Sequence, residues 1–381
     1  MIFFGQDALQ SLGSFTAKQA YIITDKNIVK LGLTDLVIKE LDAMGITYNI
    51  FDDVEPDPSL QTVRNAAKMA EKFQPDLVIG VGGGSVLDAC KVAYVCYCGG
   101  VDPGDVMFTE EYDCSKAKLI GIPTTAGTGA EVSFGAMLTD TEYQRKIAVG
   151  HFAMVPAAVI LDPVMTVGLP PSLTAETGMD ALAHAIEGYV ATLRTQFSDA
   201  PGLIAIRSIL EFLPRSYKDG SDIPAREGML NAAAQACLCC VNGMAGLAHH
   251  FAHAVGALHH LSHGKGVALF LPYTMEYQVR GSDGSTKARY AEIARICGIA
   301  TGSDDKCSNA LIARVRELLK SMKLPMSIKE AGIDRAKYMQ SMSGLVERAS
   351  DEQAGAYTRI PDNSEIEKIF NYVYEGKAID F

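Results

Sequence analysis

The first part of the chain alternates short apolar runs with longer amphipathic stretches. The apolar runs after Ala20 are rich in Val, Ile and Tyr and read AYIITD, TYNIFDDV and DLVIGVGGGS. Between them lie two helix-like segments, LTDLVIKELDAMG and LQTVRNAAKMAEKFQ. Apolar strands separated by helical segments are typical of βαβ units, whose parallel sheet is buried on both faces. We therefore predict an N-terminal α/β domain with a parallel sheet.

The pattern changes beyond the proline-rich turn Leu169-Pro170-Pro171. Later segments have a helical period and few strand-like runs, as in TAETGMDALAHAIEGYVATL, APGLIAIRSILEFLPRSY and AREGMLNAAAQACLCCVNGMAGLAHHFAHAVGAL. A chain of 381 residues is long enough for two domains with separate apolar cores. We predict an α/β domain over residues 1–165 and an all-α domain over residues 166–381.

Composition favours a globular protein that acts on small molecules. Apolar residues make up 48% of the chain and charged residues 21%. A net charge of −11 without any Lys/Arg-rich run argues against nucleic acid or an anionic membrane as a partner. The start, MIFFGQDALQSLG, lacks the features of a signal peptide, and no uncharged apolar run approaches the roughly 20 residues of a membrane helix.

The nine cysteines lie mostly in apolar runs and fit a reducing cytoplasm. Cys237 and Cys240 form a CxxC motif inside NAAAQACLCCVNGMAG, without a second CxxC in the chain. We interpret this pair mainly as small core side chains, with metal or redox chemistry as the alternative.

Three loops that follow predicted strands carry residues suited to a nucleotide, because parallel sheets bind ligands at the carboxyl ends of their strands. Asp25 could accept hydrogen bonds from a ribose diol and repel a 2′-phosphate, or it could cap the next helix. The glycines of Gly80–Ser85 would let the backbone approach a diphosphate, although a tight structural turn needs them equally. Hydroxyls in Pro123–Val132 could line a nucleotide pocket or belong to an ordinary Ser/Thr-rich loop.

Histidines are concentrated in one apolar stretch of the predicted helical domain. Residues 245–266 hold six of the eight in the chain, His249, His250, His253, His259, His260 and His263. Neutral imidazole is a common ligand of divalent metals, which makes a metal site the leading interpretation.

Asp180 and His184 stand four residues apart on a predicted helix and therefore share one face. With two of the later histidines they would form a four-ligand N₃O site suited to Fe²⁺ or Zn²⁺. Spacing alone leaves open whether His249, His250 or His253 is the third ligand. An exposed hydrogen-bonded Asp/His pair is the alternative, and the presence of a His-rich helix and an Asp/His helix in one apolar domain weighs against it. Neither ligand-bearing segment contains a Lys or Arg that would compete for the carboxylate.

Four motifs in this order, GGGSVLDACK, PTTAGTGAEVS, ETGMDALAHAIEGYV and GLAHHFAHAVGALHHLSHG, resemble the iron-containing (group III) alcohol dehydrogenase family. The resemblance runs over nearly the whole chain and includes the opening FFGQDALQSLG. It implies an N-terminal nucleotide-binding α/β domain with a parallel sheet and an all-α C-terminal domain, the dehydroquinate synthase-like architecture.

The resemblance also assigns roles to individual residues. It implies His253 as the histidine beside the substrate and nicotinamide, and a metal site of Asp180, His184, His249 and His263. The implied cofactor-binding residues are Asp25, Gly82, Gly83, Gly84, Ser85, Asp88, Thr124, Thr125, Thr128 and Lys146. In this family an acidic residue at the position of Asp25 goes with NAD rather than NADP.

The chain departs from the family pattern at three places. Asp57 stands where relatives often have Asn, which weakens the expectation of a contact to the cofactor ribose there. Gly135 lies where relatives can carry a larger polar residue, so the substrate preference is expected to differ. TRIPD replaces the common NPR pattern near the C-terminus, which we interpret as a surface-loop difference.

We therefore predict a cytoplasmic enzyme that transfers a hydride between NAD(H) and a small primary alcohol/aldehyde pair, with Fe²⁺, or else Zn²⁺, as its metal. By resemblance it is a homo-oligomer, most simply a dimer. One alternative is a zinc polyol dehydrogenase of the glycerol dehydrogenase type. Another is an NAD-dependent lyase of the dehydroquinate synthase type, which would need Lys/Arg side chains that the ligand-bearing segments lack. A metal-storing protein would leave the nucleotide loops unexplained.

Overall fold

A computed structural model describes residues 1–143, 145–281, 283–351 and 356–381. The described residues form two compact units. The first comprises Met1–Pro170 with Gly220–Ala234, and the second comprises Pro171–Asp219 with Gln235–Phe381. The segment Gly220–Ala234 thus belongs to the N-terminal unit, although in the sequence it follows Pro171–Asp219 of the second unit. Buried Arg226 donates hydrogen bonds to the carbonyl oxygens of Gly220 and Leu169, which ties this segment to the rest of that unit.

The first unit is built on a parallel sheet of six strands in the order β1-β8-β5-β4-β2-β3. These strands are β1 (Ile2–Phe4), β2 (Gln19–Ile23), β3 (Thr47–Phe51), β4 (Leu77–Gly82), β5 (Lys118–Pro123) and β8 (Ala158–Leu161). A separate antiparallel hairpin pairs β6 (Gly135–Asp140) with β7 (Arg145–Gly150). The helices of this unit are α1 (Lys26–Lys30), α2 (Leu33–Ala43), α3 (Leu60–Phe73) and α4 (Gly84–Gly99).

Both faces of the parallel sheet are buried, as the apolar runs predicted. Successive side chains of a strand point to opposite faces. Tyr21 and Ile23 accordingly belong to the core formed with α3 and α4, while Ala20 and Ile22 belong to the core on the other face, with residues of α2. The predicted α/β domain with a parallel sheet is confirmed.

The second unit contains only helices among its described residues. They are α5 (Pro171–Val190), α6 (Gln196–Lys218), the end of α7 (Ile223–Gly243), α8 (Leu247–His259), α9 (His263–Gln278), α10 (Ser285–Ile296), α11 (Asp304–Ser321), α12 (Arg335–Gln340), α13 (Met342–Asp351) and α14 (Asn363–Glu375). Helix α5 begins with Pro171, whose fixed φ and missing N–H suit a first helical position. The prediction of an all-α C-terminal region is confirmed.

All nine cysteines are free thiols. Cys237 is buried and Cys240 is partly buried, both on α7. Within the described ranges no single helix is long and apolar enough to cross a membrane; only the pair α7 and α8, bent by 98° at the break, has sufficient length and apolar composition.

Candidate metal and nucleotide sites

One face of α5 carries Asp180 and His184, four residues apart. Asp180 is 2% exposed, and the His184 side chain is 13% exposed. A carboxylate this deeply buried is expected to face a cation or several hydrogen-bond donors, since desolvating an unpaired charge is costly. The groups that Asp180 faces are imidazole rings, and two of these rings come from other helices.

The first of these rings is His249, near the start of α8, and the second is His263, the first residue of α9. His249 Nε2 lies 3.5 Å and His263 Nε2 lies 3.3 Å from Asp180 Oδ1. His184 Nδ1 lies 4.0 Å from Asp180 Oδ2, and its ring stacks on that of His249 with centroids 4.6 Å apart. The structure therefore brings together all four residues that the resemblance implied as metal ligands.

Three atoms of this cluster have no hydrogen-bond partner in the described part of the chain. They are Asp180 Oδ1, His184 Nδ1 and His249 Nε2, and all three are buried. Asp180, His184 and His249 can each offer one ligand atom such that these atoms lie within 4.8 Å of one another. Buried polar atoms are normally satisfied, so three unsatisfied ones at a single place indicate room for a cation. The donor set of one oxygen and three imidazole nitrogens fits Fe²⁺ or Zn²⁺.

The pKa shifts follow from burial and from the charges that the cluster brings together. Burial alone would raise the pKa of the Asp180 carboxyl, but the imidazoles of His184 and His263 hold it well below its usual value. Burial lowers the pKa of His184 to about 4, so that its ring is neutral at pH 7 and offers a lone pair. Burial would also lower the pKa of His249, but the Glu187 and Asp180 carboxylates raise it to about 10. A metal must therefore displace a proton from His249.

The other histidines of α8 divide into two groups. The His253 ring stacks on His263 with centroids 5.2 Å apart and lies 6.4 Å from His249, so His253 borders the metal cluster. His250 Nδ1 lies 3.3 Å from the hydroxyl of Tyr357, and His259 Nε2 lies 2.8 Å from the hydroxyl of Ser341. His260 ends α8 in the left-handed conformation. His250 and His259 thus contact other parts of the helical unit, whereas His260 is exposed.

The predicted diphosphate loop connects β4 to α4, with Gly82 at the end of the strand and Gly84 and Ser85 opening the helix. Thr124–Thr128 follows the neighbouring strand β5, and the Thr124 backbone N–H donates to the Gly82 carbonyl at 3.0 Å. The two loops are so close that a Cβ on Gly84 would lie 2.7 Å from Thr128 Cγ2. The structure therefore places Gly82, Gly83, Gly84, Ser85, Thr124, Thr125 and Thr128 at one edge of the sheet.

Asp25 follows β2 and caps α1, because its Oδ1 accepts hydrogen bonds from the backbone N–H groups of Asn27 and Ile28 at 2.7 and 3.1 Å. The structure thus shows the capping role that the sequence left open, and a second role toward a ribose stays a prediction. Asp88 lies on α4, where it pairs with buried Lys91 at 3.0 Å and accepts from the backbone of Met137. This contact ties α4 to the β6–β7 hairpin.

Lys146 lies on β7 and pairs with Asp57 at 2.5 Å. Asp57 has a left-handed backbone, φ +54°, a conformation that Asn and Asp tolerate better than most residues. Its backbone N–H also donates to Ser85 Oγ at 3.3 Å. Lys146 is therefore connected to the glycine-rich loop through Asp57, one of the three places at which the chain departs from the family pattern.

Comparison with known proteins identifies the class to which this fold and site belong. The sequence model of iron-containing alcohol dehydrogenases matches residues 1–163, and that of the C-terminal part of Fe-containing alcohol dehydrogenases matches residues 174–374. The chain is 36% identical over 385 residues to an NADPH-dependent butanol dehydrogenase of Clostridium saccharobutylicum, covering 100% of this chain and 98% of that one. The chain belongs to the iron-containing alcohol dehydrogenase family.

Two further relatives support this. A bifunctional aldehyde-alcohol dehydrogenase of Escherichia coli K12 is 34% identical over 94% of this chain, which corresponds to 43% of that longer protein. The crystal structure of a 1,3-propanediol oxidoreductase superposes with a TM-score of 0.90 at 30% identity, covering 98% of this chain and 97% of that one. The predicted family, the fold and the enzyme class, iron-type oxidoreductases of alcohols and aldehydes, are thereby confirmed.

Sequence reasoning gave no role to two buried charged residues. Glu187 lies seven residues after Asp180 on the same face of α5 and contacts His249, and this helical spacing was the available signal. Lys91 sits three residues after Asp88 and is buried against the hairpin. A lysine within an apolar helix was the signal in that case, because buried lysines need partners.

Proposed function

We propose that this chain interconverts small primary alcohols and their aldehydes with NAD(H), with Fe²⁺, or Zn²⁺ in its place, held by Asp180, His184, His249 and His263. The observation that carries the proposal is the set of three buried ligand atoms without hydrogen-bond partners among the described residues. When bound, the metal supplies Lewis acidity, which lowers the pKa of an alcohol and polarises an aldehyde carbonyl.

His253 is the proposed catalytic residue that moves the proton. It stands one helical turn after His249 and its ring stacks on His263, so it would lie beside a substrate oxygen held at the proposed metal site. An imidazole suits this role because its pKa lies near neutrality and its ring nitrogens can accept a proton and donate one. In alcohol oxidation His253 would take up the hydroxyl proton, and in aldehyde reduction it would return it.

The N-terminal unit would bind the nucleotide. Backbone N–H groups of Gly83, Gly84 and Ser85 at the start of α4 are suited to a diphosphate, since a helix N-terminus favours anions. Thr124, Thr125 and Thr128 would line the same pocket, with Asp88 holding the β6–β7 hairpin in place and Lys146 on the cofactor side.

A preference for NADH over NADPH follows from the charges at the ends of β2 and β3. Asp25, Asp52, Asp53 and Asp57 are acidic, and the nearby Lys26 is already paired with Asp53 at 2.5 Å. A 2′-phosphate would be repelled by these carboxylates. The butanol dehydrogenase of Clostridium saccharobutylicum is described as NADPH-dependent. Comparing NADH with NADPH as the reductant therefore tests the preference proposed for the present chain.

Short-chain aldehydes of two to four carbons are the proposed substrates. Relatives named for butanol and 1,3-propanediol support this class. Gly135 has no side chain, and the atom nearest to a Cβ built there would be the Val149 carbonyl oxygen at 3.9 Å, which leaves space where relatives can carry a larger residue. We further propose that the protein is a cytoplasmic homodimer, since nine free thiols fit a reducing compartment. The proposed boundary between the nucleotide-binding domain and the metal-binding domain lies near residue 165.

The test is metal analysis combined with an aldehyde panel on one preparation. Apo-protein reconstituted with Fe²⁺ or Zn²⁺ should bind about one metal per chain and oxidise NADH with C2–C4 aldehydes, and more slowly oxidise NADPH. Absence of turnover with every aldehyde would contradict the proposal. Turnover confined to glycerol with Zn²⁺ would instead favour the polyol dehydrogenase alternative.

A further inference from the structure

Glu187 is a buried carboxylate next to the metal cluster that takes no part in the ligand set described above. It lies on α5, seven residues after Asp180, and is 6% exposed. Its Oε2 lies 2.5 Å from His249 Nδ1 and accepts the backbone N–H of Gly246 at 2.9 Å. Its Oε1 accepts the backbone N–H of Ala248 at 2.7 Å. All the groups that contact this carboxylate in these bonds are donors at the start of α8.

The start of α8 needs such an acceptor. The first N–H groups of any helix have no intrahelical partner, and they are usually capped by a local Ser, Thr, Asp or Asn side chain. The N-cap of α8 is Gly246, which has no side chain to do this. Glu187 therefore caps α8 from another helix, and its negative charge is favoured at the positive end of the α8 dipole.

The glycine at the N-cap is required by this arrangement. A Cβ on Gly246 would lie 2.7 Å from Glu187 Oε1 and 2.8 Å from its Cδ, well inside van der Waals contact. The backbone of Gly246, φ −107° and ψ −160°, is otherwise open to any residue. The glycine thus serves the close approach of the carboxylate rather than an unusual backbone conformation.

The same carboxylate fixes the His249 ring. Because Nδ1–H donates to Glu187, the other ring nitrogen, Nε2, points to the Asp180 side, 3.5 Å from Asp180 Oδ1. Nε2 is the atom that is buried without a hydrogen-bond partner among the described residues. A carboxylate behind a ligating histidine sets its tautomer and orientation and strengthens it as a ligand.

We propose that Glu187 is the positioning residue of the metal centre: it joins the helices that carry Asp180 and His249 and sets the nitrogen that His249 presents. The inference rests on the proposed function, since it assumes that His249 binds the metal. One carboxylate then performs two tasks, capping α8 and orienting its first ligand. Losing it should weaken metal binding by about 10- to 100-fold, the usual range for a partner of this kind.

The test uses Co²⁺ as a spectroscopic probe in the full-length chain. Glu187→Gln keeps the size of the side chain, but one of its two ends is a donor and so opposes an N–H of α8 or the His249 ring. We expect Co²⁺ to bind about 10- to 100-fold more weakly, with changed visible absorption bands. Glu187→Asp keeps the charge and should recover part of the affinity. A merely structural residue would change thermal stability without changing the Co²⁺ spectrum of the folded protein.

The matched control is Glu276→Gln on α9. The Glu276 carboxylate also has several partners in the helical unit, Arg316 and the backbone N–H of Ile379, but none of them is a proposed ligand. This variant should keep the wild-type Co²⁺ affinity. If Glu187→Gln does not fold, Gly246→Ala displaces the carboxylate sterically while all titratable groups stay, and it should weaken Co²⁺ binding in the same direction.

The outcomes separate the two proposals. A folded Glu187→Gln protein with wild-type Co²⁺ affinity and spectrum would overturn the role of Glu187 and leave the metal centre standing, as would unchanged Co²⁺ binding in a folded Gly246→Ala protein. Wild-type protein that binds no Co²⁺, Fe²⁺ or Zn²⁺ would overturn the metal centre itself and this inference with it.

Discussion

Two buried polar clusters, one in each unit, differ in how completely they are satisfied. In the N-terminal unit the Lys91 ammonium contacts the Ala130 carbonyl at 2.9 Å, Ser133 Oγ at 2.8 Å, the Gly135 carbonyl and the Asp88 carboxylate. In the helical unit Asp180 and its imidazoles leave three buried atoms without partners among the described residues. A satisfied cluster stabilises the fold by itself, whereas an unsatisfied one needs a ligand.

The carboxyl groups in and beside these clusters show the same contrast. Burial raises the pKa of Glu131, beside Lys91, to about 7, because the nearby ammonium offsets only part of the desolvation. Asp180 is equally buried, yet its pKa is held well below the usual value by His184 and His263. Burial alone therefore does not identify a functional carboxylate. The imidazoles around Asp180 and the hydrogen-bond partner that its Oδ1 lacks among the described residues are more informative.

Removing a ligand from the unsatisfied cluster should have the largest effect. His249→Ala deletes a proposed ligand, so metal content should fall to a small fraction of wild type. Because a metal contributes several kcal/mol to the transition state, kcat/KM for aldehyde reduction should fall by about a thousand-fold. Elemental analysis and steady-state kinetics on the same sample measure both quantities.

The matched control for this variant is His259→Ala. His259 lies on the same helix but contacts Ser341 at 2.8 Å, away from Asp180. We expect this protein to keep its metal. Full metal occupancy in His249→Ala would show that His249 is not a ligand and would remove the main difference between the two clusters.

Removing the central charge of the satisfied cluster should affect stability instead. Lys91→Met leaves Asp88, two backbone carbonyls and Ser133 without their buried donor. We expect a loss of about 3–5 kcal/mol in the free energy of unfolding, as for other broken buried pairs, while the Co²⁺ affinity of the folded protein stays at the wild-type value. Chemical denaturation and Co²⁺ titration measure the two effects separately.

Lys72→Met, at an exposed position of α3, controls for the loss of a lysine and should change stability by less than about 0.5 kcal/mol. If Lys91→Met were as stable as wild type, the buried contacts of Lys91 would not stabilise the fold. Weakened Co²⁺ binding in folded Lys91→Met would contradict the independence of the two clusters.

The pH dependence of stability should reveal Glu131. Its pKa rises from 4.5 to about 7 on folding, so the folded protein holds a proton that the unfolded chain releases between these values. The stability that the folded protein gains by holding this proton is fully present below pH 4.5 and is lost as the pH rises through 7. The free energy of unfolding changes by up to about 3 kcal/mol over this range. Glu131→Gln cannot ionise, so its stability relative to wild type should increase from pH 5 to pH 8.

Thermal unfolding at the two pH values tests this, with exposed Glu142→Gln as the control that should follow the wild-type profile. An unchanged pH profile in Glu131→Gln would show that Glu131 ionises with its ordinary pKa despite its burial.

The sequence predicted the elements whose patterns are local. The strands β2 and β4 are buried on both faces, so their apolar runs are continuous and easily recognised. The β6–β7 hairpin was not predicted, because its residues alternate between buried and exposed positions and carry charges at one end. The inclusion of Gly220–Ala234 in the N-terminal unit depends on contacts with residues distant in sequence, as from Arg226 to Leu169.

The candidate site shows a similar limit. The i,i+4 spacing of Asp180 and His184 was visible on one helix, but only the fold shows that His249 and His263 converge on Asp180. For Asp25 the sequence allowed both a cap and a cofactor contact, and the structure shows the cap. Glu187 was not recognised because two of its three partners are backbone N–H groups of α8, so that its helical spacing from Asp180 was the one signal in the sequence.

The smallest expected effect concerns a pair that is satisfied but exposed. Asp57 and Lys146 are 2.5 Å apart with side chains 67% and 49% exposed, so their pairing should contribute at most about 1 kcal/mol to stability. Asp57→Asn keeps the shape and tolerates the left-handed backbone, but it leaves the Lys146 charge uncompensated. We expect KM for NADPH to fall by about two- to five-fold, because the freed ammonium attracts a phosphate, with little change for NADH. Lys146→Met should act in the opposite direction. Equal changes for both nucleotides would show that the pair does not discriminate between them, and this exposed pair would then have no part in the nucleotide preference.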